Sequence, residues 1–462
     1  MWENCFRKML VSLLAAFLIL TFYGNIVVLV QGANPSEWWN SDWRYRIPIR
    51  IDEKSGNNLT DYQVCITIDT ASLISAGKMQ ANCSDIRFVD SANNELPYWI
   101  ESGVNTNSTK VWVKVPSIPL NGTTLIYMYY GNPDATSHSD LGIFPFSLVK
   151  TIDLSGVISY DKIYRLAFAQ TEEKRNLLLV GIGNDIYEDQ NMPVYDVEED
   201  RVIGNVIGYR PKGVAWSGRA SMIAVGCGGS DSYVRIFETT NWTQIYTIPY
   251  PGFTYYDAFP AFKGDDYLIV SYEYNHKLRV YNCSNWSLLK EMDVGYDSPK
   301  FNPAYTKMAI VTRRRSSNFS IINTSDKNPA NWFIEKTIDV HNGTVYRLAW
   351  SPDGRRLIAI TGTPYKMYLY DTSTWTIDNS RKLPGTFQDI AYGIGVVVAY
   401  WNVCQALVYD PNTLSLVKTI GPANAEFGGG VAFNLHRNYL AVGWGKVVYL
   451  YKVREFTSPE PT

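Results

Sequence analysis

Hydrophobic and polar residues alternate along most of this chain. Between residues 38 and 144, runs with a period of two recur at 45–51, 63–68, 86–89, 111–115 and 124–130, each bounded by Gly, Asn, Asp or Pro. Short alternating runs at this spacing predict an antiparallel β-sandwich over residues 38–144. A different pattern lies ahead of it. Arg7 and Lys8 precede a largely apolar stretch from residue 9 to 30, with Val30-Gln31-Gly32 before Ala33. This predicts an N-terminal hydrophobic helix within residues 1–33, either a signal peptide cut before Ala33 or an uncleaved membrane anchor. Positive residues before the span and few after it place the remainder outside the cell or on its surface.

Beyond residue 146 a longer period takes over. A small or apolar residue followed by an aromatic recurs roughly every 40–45 residues, at Leu166-Ala167-Phe168, Val214-Ala215-Trp216, Asp257-Ala258-Phe259, Pro299-Lys300-Phe301, Leu348-Ala349-Trp350, Ile390-Ala391-Tyr392 and Val431-Ala432-Phe433. An apolar strand follows each one. A third strand then ends near Asp or Asn, as at Tyr195-Asp196, Tyr370-Asp371 and Tyr409-Asp410. A fourth is expected to start with Trp242, Trp286, Trp332 or Trp375. Four strands per repeat make a propeller blade, and seven repeats predict a seven-bladed β-propeller over residues 146–456. Residues 147–152, Ser-Leu-Val-Lys-Thr-Ile, duplicate 415–420, the fourth strand of the sixth repeat, whereas the last repeat lacks such a strand. Strand 146–154 is therefore expected to complete the last blade, leaving 457–462 as a short polar tail. The fold class is all-β: one hydrophobic helix, a sandwich and a propeller.

Two resemblances bear on this. The segments LTDYQV, GKMQANCSDIRFVDS, LPYWIES, STKVWVKVPSIP and IYMYYGNPDATSHSD resemble, in order, the domain-of-unknown-function 2341 family over about residues 43–140. That resemblance implies an extracellular β-sandwich of prokaryotic surface proteins, with no catalytic residues to carry over. Arg87 and Glu101 are expected to serve as a structural ion pair or as edge-strand charges. The repeat HNGTVYRLAWSPDGRRLIAITG from His341, followed by MYLYDTSTW, looks like a WD-repeat, which implies fold but not function.

Composition sharpens the picture in three respects. Lys and Arg number 42 against 44 Asp and Glu, a formal net charge of −2, which argues against nucleic acid as partner. Sequons stand at Asn58, Asn82, Asn107, Asn121, Asn241, Asn282, Asn285, Asn318, Asn323 and Asn342; in an exported protein these are glycosylation candidates, and Asn/Ser/Thr turn chemistry is the alternative. Of the six cysteines, Cys65 and Cys83 are close in sequence and form a candidate disulfide.

The 33 tyrosines exceed the 18 Phe and 14 Trp. In a propeller, loops from strand four to the next strand one, and from strand two to three, gather on one face. That face is expected to carry Tyr256, Tyr274, Arg313, Arg314, Arg315, Trp401 and Trp444 as partner-binding candidates. Four sequons, at Asn241, Asn282, Asn285 and Asn323, fall in the strand three-to-four turns of the opposite face. No catalytic motif, cofactor motif or metal set is read; loop 184–189, rich in hard oxygens, is a weak Ca²⁺ candidate without EF-hand spacing. The expectation is a non-catalytic surface protein that recognises a glycan or an extracellular protein and touches membrane only through its N-terminal segment. The alternatives are a polysaccharide-active hydrolase or lyase, and a structural scaffold of a surface complex.

Overall fold

The computed structural model describes residues 38–453, apart from 159–162, 183–188, 229–232, 250–256, 401–404, 422–428 and the single positions 55, 145, 172, 175, 342 and 437. It also describes the strand Val28–Leu29. Two compact units divide the chain, Met1–Pro145 with Arg454–Thr462, and Phe146–Val453. The hydrophobic helix expected within 1–33 lies outside the described residues except for Val28 and Leu29, whose backbone pairs with Ile51 and Arg50. Among the described residues no helix is long and apolar enough to cross a membrane.

The first unit is a sandwich of two antiparallel sheets. One orders Val28–Leu29, Tyr45–Asp52, Thr123–Tyr130, Arg87–Asp90 and Glu95–Leu96; the other orders Leu59–Ile68, Thr109–Ile118 and Tyr98–Ser102. The alternating pattern sends Ile49, Ile51, Val64, Ile66, Phe88, Val113 and Met128 into a shared core, each such side chain contributing about 1.5–3 kcal/mol by leaving water. The same alternation rules out the expected disulfide. Cys65 is exposed on the outward face of its strand, Cys83 is buried in the core, and no bond joins them. Nearness in sequence did not put the two thiols on one side of the sheet.

The second unit is a seven-bladed propeller of four-stranded antiparallel sheets. Blades 1 to 6 begin with the innermost strands Ile163–Phe168, Pro211–Trp216, Ala258–Lys263, Lys300–Phe301, Val345–Trp350 and Phe387–Tyr392, and each continues outward in chain order. Blade 7 takes Gly430–Asn434, Tyr439–Trp444 and Val447–Lys452 from the end of the unit and its fourth strand, Ser147–Asp153, from the beginning. Their register runs from Val447 opposite Asp153 to Lys452 opposite Ser147, which pairs an edge that would otherwise stay open.

Apolar clusters seal the interfaces between successive blades. Leu179, Met192 and Val206 of blade 1 meet Ile223 and Val225 of blade 2, and Leu178 and Phe168 of blade 1 meet Ala441 and Leu450 of blade 7. The repeated aromatic on the inner strand stitches blades together. The indole N–H of Trp216 donates to the Ala167 carbonyl of blade 1 (2.9 Å), and that of Trp350 donates to the Lys300 carbonyl of blade 4 (2.8 Å). Much of the tyrosine surplus is packing material, with Tyr195, Tyr272, Tyr281, Tyr370, Tyr400 and Tyr409 buried.

The tryptophans expected to open the fourth strands precede them instead. Trp242, Trp286 and Trp375 occupy the turn with φ of 63°, 59° and 61°. The backbone N–H of Trp286 donates to the Asn282 carbonyl (2.7 Å), and that of Trp375 to the Asp371 carbonyl (2.8 Å). This left-handed position swings each ring out of the strand. A Cβ on Gly204 of blade 1 would come within 2.4 Å of the Trp242 ring, and Trp286 stacks on Tyr246 of blade 2 at 5.2 Å. Trp332 sits on the 3-10 turn Pro329–Asn331 as its C-cap, just before the strand Phe333–Asp339.

Candidate functional site

In the first unit, the residues nearest to a site by sequence turn out to hold the fold. Asp85 is buried, and its carboxylate accepts from the backbone N–H groups of Gln80 (3.0 Å) and Gly131 (2.8 Å). The indole of Trp43 donates to the Asp85 carbonyl at 2.7 Å. Arg87 is 2% exposed and donates to the carbonyls of Ser84, Ile86 and Thr136. Its ion pair is with Glu95 (3.4 Å), which also binds His138 (2.7 Å), and not with Glu101. Glu101 accepts from the indole of Trp112 at 3.0 Å. These side chains tie the 80–87 turn, the Glu95–Leu96 strand and the 131–138 loop into one frame.

In the propeller, charged residues gather where the innermost strands begin. Arg165, Arg347 and Asp389 stand immediately before the repeated apolar-small-aromatic triplets of blades 1, 5 and 6, Asp257 opens that of blade 3, and Asp297 lies just ahead of that of blade 4. They form cross-blade pairs: Arg347 with Asp297 at 3.0 Å, Arg165 with Asp389 at 3.4 Å, and Lys212 of blade 2 with Asp257 at 3.8 Å. The Arg165 pair spans blade 7, where Gly430 puts no side chain in the way; a Cβ there would lie 3.1 Å from the Arg165 backbone.

A cavity of about 210 Å³ opens among these groups. Its wall combines the aromatic rings of Tyr164, Phe259 and Tyr296 with the charged groups of Arg165, Lys212, Asp257, Glu273, Asp297 and Arg347. All come from the starts of inner strands, from four-to-one connections, or, for Glu273, from the two-to-three loop of blade 3. They therefore share the face on which the sequence put the partner-binding candidates.

Glu273 and Asp257 both line the wall. The Asp257 carboxyl lies within hydrogen-bonding reach of Glu273. Burial, reinforced by the Asp257 charge and that hydrogen bond, pushes Glu273 up to about 7, against the opposing pull of Arg314 and Lys212. Loss of solvent likewise lowers the Lys300 ammonium, with Asp297 and Asp389 opposing. Two buried polar atoms of the Arg347–Asp297 pair, Asp297 Oδ1 and Arg347 Nε, have no hydrogen-bond partner.

The candidates from sequence divide sharply. Arg314 and Tyr274 adjoin the cavity wall: Arg314 pairs with Glu273 at 3.3 Å, and its guanidinium lies over the Tyr274 ring at 4.6 Å. Arg313 and Arg315 are exposed beside them. Tyr256 and Trp401 lie outside the described residues. Trp444 is a correction. It is 2% exposed and packs at 5.9 Å from Tyr449, because only Gly445 and Lys446 separate its strand from the next and leave no loop to project it. The charged ring itself was missed, although its signal was present as a charge beside each triplet.

Among the sequons, Asn58, Asn82, Asn107, Asn121, Asn241 and Asn285 are exposed, and Asn282, Asn318 and Asn323 are half-buried; Asn342 lies outside the described residues. Several form Asx turns. The Oδ1 atoms of Asn241, Asn282, Asn285 and Asn323 accept from the N–H two residues on, at 2.8–3.1 Å. Asp371 and Asp196 make the same bond in blades 5 and 1, so the Asx side chain at these positions serves the turn whether or not a glycan is attached. Outer strands next to these turns expose large apolar groups, among them Ile245, Leu288 and Phe333. The Ca²⁺ candidate loop falls outside the described residues at 184–188, and Asp189 pairs with Arg235 at 2.9 Å. Among the described residues no group of three or more His, Cys, Asp or Glu is disposed to hold a metal ion.

Residues 82–146 match the family described as Domain of unknown function (DUF2341). The match includes Asp85, Arg87, Glu95 and His138 of the frame and ends where the propeller unit begins. No curated protein matches the chain.

Proposed function

We propose that this is an exported, non-catalytic surface protein whose WD-repeat-like propeller binds a glycan or an extracellular protein, with the sandwich as a companion interaction module. The observation that carries this reading is the channel-mouth cavity, where aromatic rings and charged groups converge on one face of the propeller. A concave site with a few convergent polar groups is the usual form of a binding pocket. Arg314 over Tyr274 extends it outward. Export rests on the N-terminal apolar segment and the sequons.

The converging carboxyls favour a second reading, a polysaccharide-active hydrolase or lyase. Against it, the Asp257 and Glu273 side chains lie within hydrogen-bonding reach, closer than the ~5–9.5 Å that two-carboxylate glycoside hydrolysis uses. A panel of glycans and surface proteins, presented to the protein and to its Tyr274→Ala and Arg314→Ala variants, tests the binding reading. Saturable binding that falls in both variants supports it; binding unchanged in both refutes the aromatic face. Turnover of a polysaccharide that stops in Glu273→Gln would replace it with the enzyme reading.

A further inference from the structure

The binding reading leaves the chemistry of the ligand open, and this inference rests on that reading. Asp297 is 3% exposed, lines the cavity, and uses Oδ2 on Arg347 while Oδ1 has no partner. Arg347 Nε is likewise buried without a hydrogen-bond partner. An unsatisfied acceptor and an unsatisfied donor therefore belong to one ion pair at the cavity wall. A buried donor or acceptor left without a partner keeps its full desolvation penalty, and a ligand that answers both removes it. A hydroxyl donates and accepts at once, and neighbouring hydroxyls on a ring offer both roles in fixed geometry.

The remaining wall narrows the class. Tyr164, Tyr296 and Phe259 supply faces for the apolar side of a ring. The cavity's about 210 Å³ is large against the ~15 Å³ that one water needs. Arg165, Lys212, Arg314 and Arg347 face Asp257, Glu273, Asp297 and Asp389. Arg313 and Arg315 stand exposed on either side of Arg314, so positive charge is in excess on the outer side of the cavity.

We infer that the cavity is a subsite for one residue of an acidic saccharide. Its hydroxyls bridge Asp297 Oδ1 and Arg347 Nε, and its carboxylate lies toward Lys212 and Arg314. A neutral sugar meets the first requirement and not the second. A peptide carboxylate meets the second and not the first.

The test is calorimetric titration of the whole protein with a galacturonic acid trimer and, separately, a galactose trimer of the same ring stereochemistry. The acidic trimer is expected to bind at least about tenfold more tightly, a difference of about 1.4 kcal/mol. Asp297→Asn is expected to weaken it by a similar factor. Should that variant fail to fold, Arg347→Lys keeps the positive charge and removes the Nε donor, and is expected to act in the same direction. Equal affinity for the two trimers overturns the acidic assignment. Full affinity in a folded Asp297→Asn or Arg347→Lys variant overturns the subsite. If neither trimer binds while the glycan and protein panel yields a ligand lost on Arg314→Ala, this inference fails and the binding reading survives.

Discussion

Arg347 of blade 5 and Asp297 of blade 4 meet at 3.0 Å across a blade boundary, each with one polar atom left over. A purely structural pair would be expected to spend those atoms on its surroundings, since buried polar groups are nearly always hydrogen-bonded. Breaking the pair from one side leaves an uncompensated buried charge, a loss of about 3–5 kcal/mol. Arg347→Ala is therefore expected to lower the thermal midpoint, while Arg347→Lys, which keeps the charge, lowers it less. Differential scanning calorimetry of both variants checks the order.

Glu273 gives the site a pH dependence. Its carboxyl is raised to about 7 in the folded chain from an ordinary value of 4.5. The folded state thus holds its proton more tightly than the unfolded chain does. That stabilisation is complete below about pH 4.5 and is lost as the pH rises through about 7. Glu273→Gln removes the titration, so wild type should lose stability relative to the variant between pH 5 and 8. Parallel urea denaturation across that range reads it, and curves that stay parallel would count against the buried carboxyl pair.

Close backbone contact between blades 2 and 3 makes a sharp stability prediction. A Cβ on Gly226 would lie 2.0 Å from the Ala258 carbonyl oxygen and 2.7 Å from its carbon. Neither is the end of a flexible side chain, so the strands must separate. Gly226→Ala is expected to cost at least the ~1–3 kcal/mol of an overpacked core. Gly56→Ala meets no atom within 4 Å, but its φ of 77° makes it a control for backbone strain without steric clash. Denaturant midpoints of the two variants compare them.

The turns suggest a separable role for the sequons. Because Asp makes the same Asx turn in blades 1 and 5, Asn241→Asp, Asn285→Asp and Asn323→Asp should keep the fold and lose any glycan. Glycopeptide mapping from a glycosylating host is expected to find these sites occupied, and the triple variant to self-associate more through the apolar outer strands. Static light scattering measures the second effect. Unoccupied sites would leave the Asn-x-Ser/Thr pattern as turn chemistry alone.

Much of the architecture was legible because it repeats. Period-two runs marked the sandwich strands, and the apolar-small-aromatic triplets marked the inner strand of every blade. What failed depended on direction. Cys65 and Cys83 were close in sequence but lie on different sides of a sheet. Trp444 was assigned to a loop, yet a two-residue turn keeps it in strand register and buried. Trp242, Trp286 and Trp375 were read as strand residues, although their left-handed backbone puts them in turns. The charged ring escaped notice because each charge, taken alone, looks like an ordinary strand terminus; only stacking of successive blades brings Lys212 to Asp257, and only closure of the propeller brings Arg165 to Asp389.

The most direct test of the central claim is hydrogen–deuterium exchange of the protein with and without the best ligand from the glycan and protein panel. The account predicts ligand-dependent protection in peptides containing Lys212, Glu273 and Tyr274, and Tyr296 and Asp297, all at the channel mouth. Protection confined to the sandwich, or to the three-to-four turns around Asn241, Asn285 and Asn323, would contradict it.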